Sequence, residues 1–398
     1  VTTGELTACP YPFPEVPALG LAPEYGEFRR APGLPRLEMP YGGQAWLATR
    51  LADVKFVLAD PRFSRAAAVG ADIPRTLPPV ETTNILGMDP PEHSRVRRVV
   101  AKAFTARNIE RLRPRVEAIV DDLLTRMTDG KNTADLVHEL ALPMSITTIS
   151  ELLGVPEDER DEFHEWSATA TAIDGPPVEE IIAANVSLRQ FLGKLAAERA
   201  ERPADDLLST LVTARDEEGR LTDEEMVSLG TVILSAGHET TANQLAGHVF
   251  TLMNQPELWQ RLVDDPDQVP AAVEELLRLT PLGVVTFARI AKEDVEVGGT
   301  LVRAGESVVM QIAAANRDEE VFAHGDELDF DREQNPHISF GHGAHHCLGA
   351  PLARLELRTA LRELVRRLPS LRLAEPAGEV VFKKGVLLRG PETLPVTW

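Results

Sequence analysis

The chain has 398 residues, 43% hydrophobic and 26% charged, enough to bury a sizeable core and typical of a globular protein. Its 41 Lys and Arg against 62 Asp and Glu give a net charge of −21, which argues against nucleic acid or an anionic membrane as a partner. Cys9 and Cys347 are the two cysteines, too few for a disulfide framework, and no run reaches the roughly 18–20 apolar residues of a membrane span. The start, VTTGELTACPYPFPEVPALG, has neither the basic flank nor the apolar core of a signal peptide, so a cytoplasmic setting is expected.

The first 35 residues are Pro-rich and are expected to pack on the surface. Residues 36–60 read as a hairpin turning at Gly42–Gly43, followed by a short helix. Residues 62–88 show no period and carry several prolines, the mark of a long functional loop. DPPEHSRVRR then opens a helix, with Asp89 as N-cap and Pro90 at the first position. His93 and Arg97 fall four apart on its face and repel each other unless an anion lies between them.

From Asp89 to Thr280 the pattern is mostly helical. Within 105–129, Ile109, Leu112, Val116, Ile119, Val120, Leu123 and Met127 recur at three- and four-residue spacing, predicting a helix there. ELLGVP ends another helix at Gly154 and Pro156, and DGPP at 174–177 breaks the pair that follows. The longest helix runs from a capping box at Thr222–Glu225 to Asn254–Gln255–Pro256, roughly 33 residues or about 50 Å. Glu275 and Arg278 sit three apart on a later helix, a spacing that surface ion pairs commonly share. Residues 294–312 and 380–398 read as strands. One mostly helical domain, 1–398, with small β-sheets accounts for this order.

Two stretches carry chemistry. FGHGAHHCLG, residues 340–349, sets Cys347 in a glycine-laced loop just before a helix. An intracellular thiol is commonly a small buried hydrophobe. Structural zinc wants a second ligand pair at finger-like spacing, and the chain has no CxxC. A nucleophile wants a base and an oxyanion hole, and no such signature is present. A thiolate ligating a metal already held by something else, such as haem iron, is the remaining option. Gly341, Gly343 and Gly349 would let backbone N–H groups approach the sulfur, and the helix N-terminus would favour its anionic form. The second stretch, SAGHETTANQ, puts a Gly, a carboxylate and two Thr inside an apolar helix, a breach of local propensity that tends to mark function.

FGHGAHHCLG resembles the haem-binding loop of the cytochrome P-450 family, Phe-x-x-Gly-x-x-x-Cys-x-Gly, with Phe340, Gly343, Cys347 and Gly349 matching. The other family motifs stand upstream in order. AGHETT resembles the oxygen-activation motif, Glu275 and Arg278 the Glu-x-x-Arg pair, and Arg332 the arginine completing that pair. The resemblance implies the family's mainly α fold with small β-sheets and haem b between the long helix and the Cys loop with its following helix. It implies Cys347 as iron ligand and Glu239 and Thr240 as the acid–alcohol pair. Ala236 and Gly237 would let the haem face approach, and His93, Arg97, Arg289 and His345 would meet its propionates. Phe340, Gly341 and Gly349 would shape the loop, and Glu275, Arg278 and Arg332 would seat the haem without joining the chemistry.

The implied activity is that of the soluble bacterial haem-thiolate monooxygenases that tailor actinobacterial secondary metabolites, antibiotics among them: O2 activation followed by hydroxylation or epoxidation. No nucleotide-binding Gly-rich fingerprint follows a strand, so electrons must come from a separate ferredoxin-type donor and its NAD(P)H reductase. Residues 93–115 hold Arg95, Arg97, Arg98, Lys102, Arg107, Arg111, Arg113 and Arg115 against Glu110, a basic stretch in an acidic chain that, with Arg354, suits an acidic donor. Candidate substrate contacts are the 62–88 loop with Leu86, the Thr171–Val178 break, Leu282 to Val285 with Val284 and Val285, and Val386 to Leu388 with Leu387. They are mainly apolar, which fits a neutral lipophilic small molecule such as a polyketide or macrolide. Oxidative coupling, peroxide-driven oxidation, and a non-catalytic haem sensor or carrier are the competing readings.

Overall fold

A computed structural model of the chain describes residues 9–13, 16–75, 84–171, 176–216, 221–283, 287–383 and 388–398; helices dominate it and strands are short. The chain divides into two compact units, Val1–Ser94 with Glu274–Cys347 and Arg95–Val273 with Leu348–Trp398. Among the described residues no helix is long and apolar enough to cross a membrane.

In the first unit six strands form one sheet, in the order Cys9–Pro10, Arg36–Glu38, Gln44–Ala48, Ser307–Met310, Arg289–Ala291, Phe63–Ser64. The hairpin expected at Gly42–Gly43 is present, and both glycines hold positive φ, 71° and 82°. Gly42 tolerates no side chain, because a Cβ would lie 1.9 Å from Ile73 O. The two-residue period of a strand sorts its side chains between two cores. Val308 and Met310 join Leu51, Val54, Val57 and Phe63, whereas Val309 joins Leu37, Leu47, Tyr11 and Tyr25. The Pro-rich start therefore does more than lie on the surface. It supplies an edge strand, the helix Pro23–Arg30 and two buried tyrosines.

Asp89 does not cap a helix with its side chain. The helix runs Glu92–Ala101, and the Asp89 carboxylate instead accepts from Ser64 Oγ and Arg65 N, although Asp89 O still accepts from His93 N. The carboxylate has been recruited by a strand end that lies far away in sequence.

The second unit is built around the helix Asp223–Met253, which packs on Leu142–Leu153, Val178–Glu201 and Ala350–Arg367. Its expected capping box is formed, Thr222 Oγ1 accepting from Glu225 N and Glu225 Oε2 from Thr222 N, which stabilises this end by about 1 kcal/mol. Every residue from Thr241 to Phe250 is buried. The helix expected over 105–129 is two, Ala106–Arg111 and Arg113–Thr128. Pro114 has no N–H for an interior helical bond, so the chain restarts there. Both pieces keep the apolar period, burying Ile109 in one and Val116, Ile119, Val120, Leu123 and Met127 in the other. Gly154 ends Leu142–Leu153 with φ 86°. Of the strands expected over 380–398, the described residues hold Pro395–Thr397, paired antiparallel with Thr133–Asp135, and a bridge between Phe382 and Pro391.

Glu275 and Arg278 are not a solvated surface pair. Their side chains are 1% and 0% exposed, with Arg278 Nε 2.8 Å from Oε2 and Nη2 2.7 Å from Oε1. Arg332 Nε lies 3.2 Å from Oε1, Asn335 Nδ2 donates to Oε2 at 3.0 Å, and Asp329 N donates to Oε1 at 3.0 Å. Arg278 also donates to the carbonyls of Asn316, Gly325 and Glu327, while both guanidiniums stand over the Phe322 ring. Just beyond, Ile338 N donates to Asn316 Oδ1, and Ser339 Oγ donates to Leu277 O. The irregular chain from 316 to 339, which leads into the Cys loop, is thus tied to one helix face.

Burial alone would raise the pKa of Glu275, but the hydrogen bond and charge of Arg278 outweigh it and hold the carboxyl below its ordinary 4.5. A depressed carboxylate contributes stability above its unfolded pKa and loses it as pH falls through the folded value. Glu275→Ala leaves two buried guanidiniums without their counter-charge and should cost about 3–5 kcal/mol in urea denaturation. Arg113→Ala, which removes the exposed pair with Glu110, should cost no more than about 1 kcal/mol in the same assay.

Candidate active site

The Cys loop is shaped by its own backbone. Gly341 N donates to Ile338 O at 2.7 Å, His346 N to Gly343 O at 3.0 Å, and Cys347 N to Phe340 O at 2.8 Å. Gly341 and Gly343 hold φ of 74° and 71°, where a side chain is strained. At Gly343 space is also closed, since a Cβ would stand 2.6 Å from Leu58 O at the end of Leu51–Ala59. Gly349 differs from these two. It is the N-cap of Ala350–Arg367 with an ordinary φ of −78°, so its backbone does not require glycine. Cys347 is exposed, unlike the buried small hydrophobe that an intracellular thiol commonly is.

Around the loop lies a cluster of basic side chains. His345 Nε2 sits 3.1 Å from Met88 O, and its ring is 4.2 Å from that of His93, which is buried. Arg289 and Arg65 are 6% and 5% exposed. Arg65 donates from Nε to Leu86 O and from Nη1 to Ala288 O, and it lies over the exposed Phe287 ring. Burial and the neighbouring Arg65 push Arg289 down to about 9, with Asp89 opposing. Burial pushes Arg65 down to about 10, again against the pull of Asp89. Burial, with the charges of Arg289, His93 and Arg65, pushes His345 down to about 3. Among the described residues neither Arg65 nor Arg289 forms an ion pair. Two desolvated guanidiniums with so little counter-charge are a seat for an anion, and they fit the two propionates of haem. No local pattern in the sequence marks Arg65, which reaches the cluster through the pairing of Phe63–Ser64 with Arg289–Ala291. Arg97, four residues after His93, is half-buried.

On the long helix the polar breach coincides with a gap in burial. Ala236 is exposed and Glu239 and Thr240 are half-buried, directly before the fully buried run from Thr241 to Phe250. The spacing of Ala236, Glu239 and Thr240 puts them on one face. Thr240 Oγ1 donates to Ala236 O at 2.6 Å, so that carbonyl accepts from a side chain on the same turn. Glu239 Oε1 is 3.0 Å from Lys383 Nζ, a partner with no local signal in the sequence. Gly237 has a packing role of its own. A Cβ there would meet Ile149 at 2.9 Å, so the missing side chain lets Leu142–Leu153 pack closely.

Of the candidate substrate contacts, Leu86 is exposed at 37%, while Val284, Val285 and Leu387 lie outside the described residues. Two clefts of about 490 and about 470 Å³ in the second unit, lined in part by Arg113, Arg358 and Arg362 and by Arg126, Lys131 and Arg160, hold none of the motif residues.

Residues 179–391 match the model of the family described as Cytochrome P450. Nocardicin C N-oxygenase of Nocardia uniformis subsp. tsuyamanensis is 50% identical over 391 residues, 98% of either chain. Mycinamicin IV hydroxylase/epoxidase of Micromonospora griseorubida is 46% identical over 389 residues, again 98% of either chain. Among solved structures, the LnmA cytochrome P450 hydroxylase from the leinamycin pathway of Streptomyces atroolivaceus superposes with a TM-score of 0.94 at 46% identity, covering 98% of this chain and 100% of that one. With a thiol loop, an acid–alcohol helix and such relatives over nearly its whole length, the chain belongs to the cytochrome P450 family, haem monooxygenases that use O2, electrons from a redox partner and a small-molecule substrate.

Proposed function

We propose that this family member carries haem b on Cys347, draws electrons from a small iron–sulfur ferredoxin, and hydroxylates or epoxidises a neutral lipophilic metabolite of the polyketide or macrolide kind. The observation that carries the reading is the exposed thiol on its glycine loop, found in the same unit as a desolvated, acid-poor cation cluster. The substrate class is supported by the relative named for mycinamicin IV and by the exposed apolar Leu86.

Bound there, haem supplies dioxygen binding and reductive activation, with thiolate electron density favouring O–O cleavage. The protein's own residues do the rest. Arg65 and Arg289 would neutralise the propionates, and the neutral imidazole of His345, stacked on His93, would offer a ring N–H beside them. Gly341 and Gly343 fix the loop that presents the sulfur. Glu239 takes protons from solvent and passes them to the Thr240 hydroxyl, which is oriented by its bond to Ala236 O.

Reduced protein with carbon monoxide should show the red-shifted Soret band of a thiolate haem. Cys347→His should abolish that band and Cys9→Ser should leave it intact; the opposite pattern would remove Cys347 as the ligand. A metabolite panel read by Soret shifts should yield macrolide-type ligands ahead of fatty acids.

If Glu239 and Thr240 handle protons, Thr240→Ala should still consume NAD(P)H with surrogate redox partners while diverting more oxygen to hydrogen peroxide. Loss of a proton-transfer group costs about 10²–10⁴ in the step it serves, so the diversion should be several-fold and easy to measure. Unchanged peroxide yield in both Thr240→Ala and Glu239→Gln would exclude the pair.

The donor surface is narrower than the basic stretch suggests. Arg95 pairs with Glu225, Arg111 with Asp205, Arg113 with Glu110 and Arg115 with Glu151. Arg98, Lys102 and Arg107 are exposed and, among the described residues, form no ion pair. Charge reversal at Arg98 or Lys102 should slow reduction by ferredoxin roughly tenfold at low salt. The effect should fade by 1 M salt, where the Debye length falls to about 3 Å. Salt-independent electron transfer, insensitive to both reversals, would rule out this docking face.

A further inference from the structure

Past its first turn, the helix Asp223–Met253 carries a single acidic residue, Glu239, and its carboxylate is paired with Lys383 at 3.0 Å. Both side chains are mostly covered, 23% and 21% exposed, so solvent screens this pair less than a surface pair. Lys383 also stands on a fixed base. Its N–H donates to Gly390 O at 3.0 Å, and Glu392 N donates to Val381 O at 2.9 Å. The neighbouring Phe382 ring packs edge-on against Phe250, with centroids 5.0 Å apart. Gly390 approaches the same helix so closely that a Cβ would lie 2.5 Å from Asn243 Oδ1. The backbone carrying Lys383 is therefore attached to the long helix at Asn243 and Phe250, four and eleven residues beyond Glu239. A long, flexible lysine would pay much of its rotamer freedom to hold one geometry. Here the anchored base confines where its ammonium can reach.

We propose that Lys383 is the positioning residue for the proton-handling carboxylate, holding Glu239 in one rotamer beside Thr240. This rests on the assignment of Glu239 and Thr240 to proton delivery made above. Without Lys383, the half-buried carboxylate loses its counter-charge and its fixed orientation, and the alcohol next to it loses a placed proton source. The residue acts through Glu239, the carboxylate its ammonium meets.

The test uses holoenzyme with a surrogate plant-type ferredoxin, its reductase, NADPH and oxygen, without organic substrate. Wild type, Lys383→Met, Lys383→Arg, Glu239→Gln and the double variant are compared for peroxide released per NADPH, in H2O and in D2O. The carbon monoxide band of each variant reports an intact haem site. Lys383→Met should raise peroxide per NADPH roughly two- to fivefold, part of the loss expected when a proton-transfer group is misplaced, and should enlarge the solvent isotope effect. Lys383→Arg, which keeps the charge, should return both towards wild type. In the Glu239→Gln background, Lys383→Met should add nothing, because the two residues act as a unit. An equal added effect in that background, no effect of Lys383→Met at all, or loss of the carbon monoxide band in both Lys383 variants overturns the proposal while leaving Glu239 in its role. No effect of Glu239→Gln itself overturns the assignment beneath it, and the proposal falls with it.

Discussion

A single carboxylate, Glu275, is what the first unit depends on. It is 1% exposed and it receives two guanidiniums, an amide and a backbone N–H. A buried charge left unpaired is expensive, and a buried pair contributes net stability only when its remaining donors and acceptors are satisfied. Arg278 meets that condition by spending its other hydrogens on the carbonyls of Asn316, Gly325 and Glu327. Those residues belong to chain with little regular structure, which has no ladder of its own to satisfy its backbone. The ion pair therefore replaces secondary structure as the element that fixes this stretch, and the Cys loop begins where it ends.

The cation cluster follows the opposite logic. Glu275 is over-supplied with positive partners, whereas Arg65 and Arg289 are desolvated with Asp89 as the acid acting on them. Asp89 itself is occupied by Ser64 and the Arg65 backbone, which hold it below its ordinary range although burial alone would raise it. The protein chain leaves this positive charge largely uncompensated, and under the proposed function an anionic cofactor would offset that cost on binding, which would link folding of the cluster to loading of the cofactor.

The long helix shows a similar division of labour along its length. From Thr241 to Phe250 it is buried and provides support. One turn earlier, polar residues that weaken a helix sit where its face is uncovered, and each has a defined partner: Thr240 the carbonyl of Ala236, Glu239 the ammonium of Lys383. The locally unfavourable sequence is tolerated because the flanking turns are anchored by packing against Leu142–Leu153 and Ala350–Arg367.

Sequence alone determined what short-range geometry controls. The Gly42–Gly43 hairpin, the capping box at Thr222, the stop at Gly154 and the Cys loop all rest on residues within a few positions of each other, whose φ or hydrogen-bond needs are local. Spacing placed Glu275 beside Arg278, and resemblance added Arg332. Their burial, which turns an ordinary surface pattern into a structural anchor, came only with the tertiary fold. The same holds for Asp89, drawn from a cap to Ser64, and for the split at Pro114, where one apolar period concealed two helices. Lys383 and Ile149 had no sequence signal because each meets its partner across more than 80 residues of chain, and Arg65 reaches Arg289 only through the pairing of Phe63–Ser64 with Arg289–Ala291; packing of distant segments creates those contacts. Local chemistry is written in the order of residues, whereas desolvation and long-range pairing exist only once the chain has closed on itself.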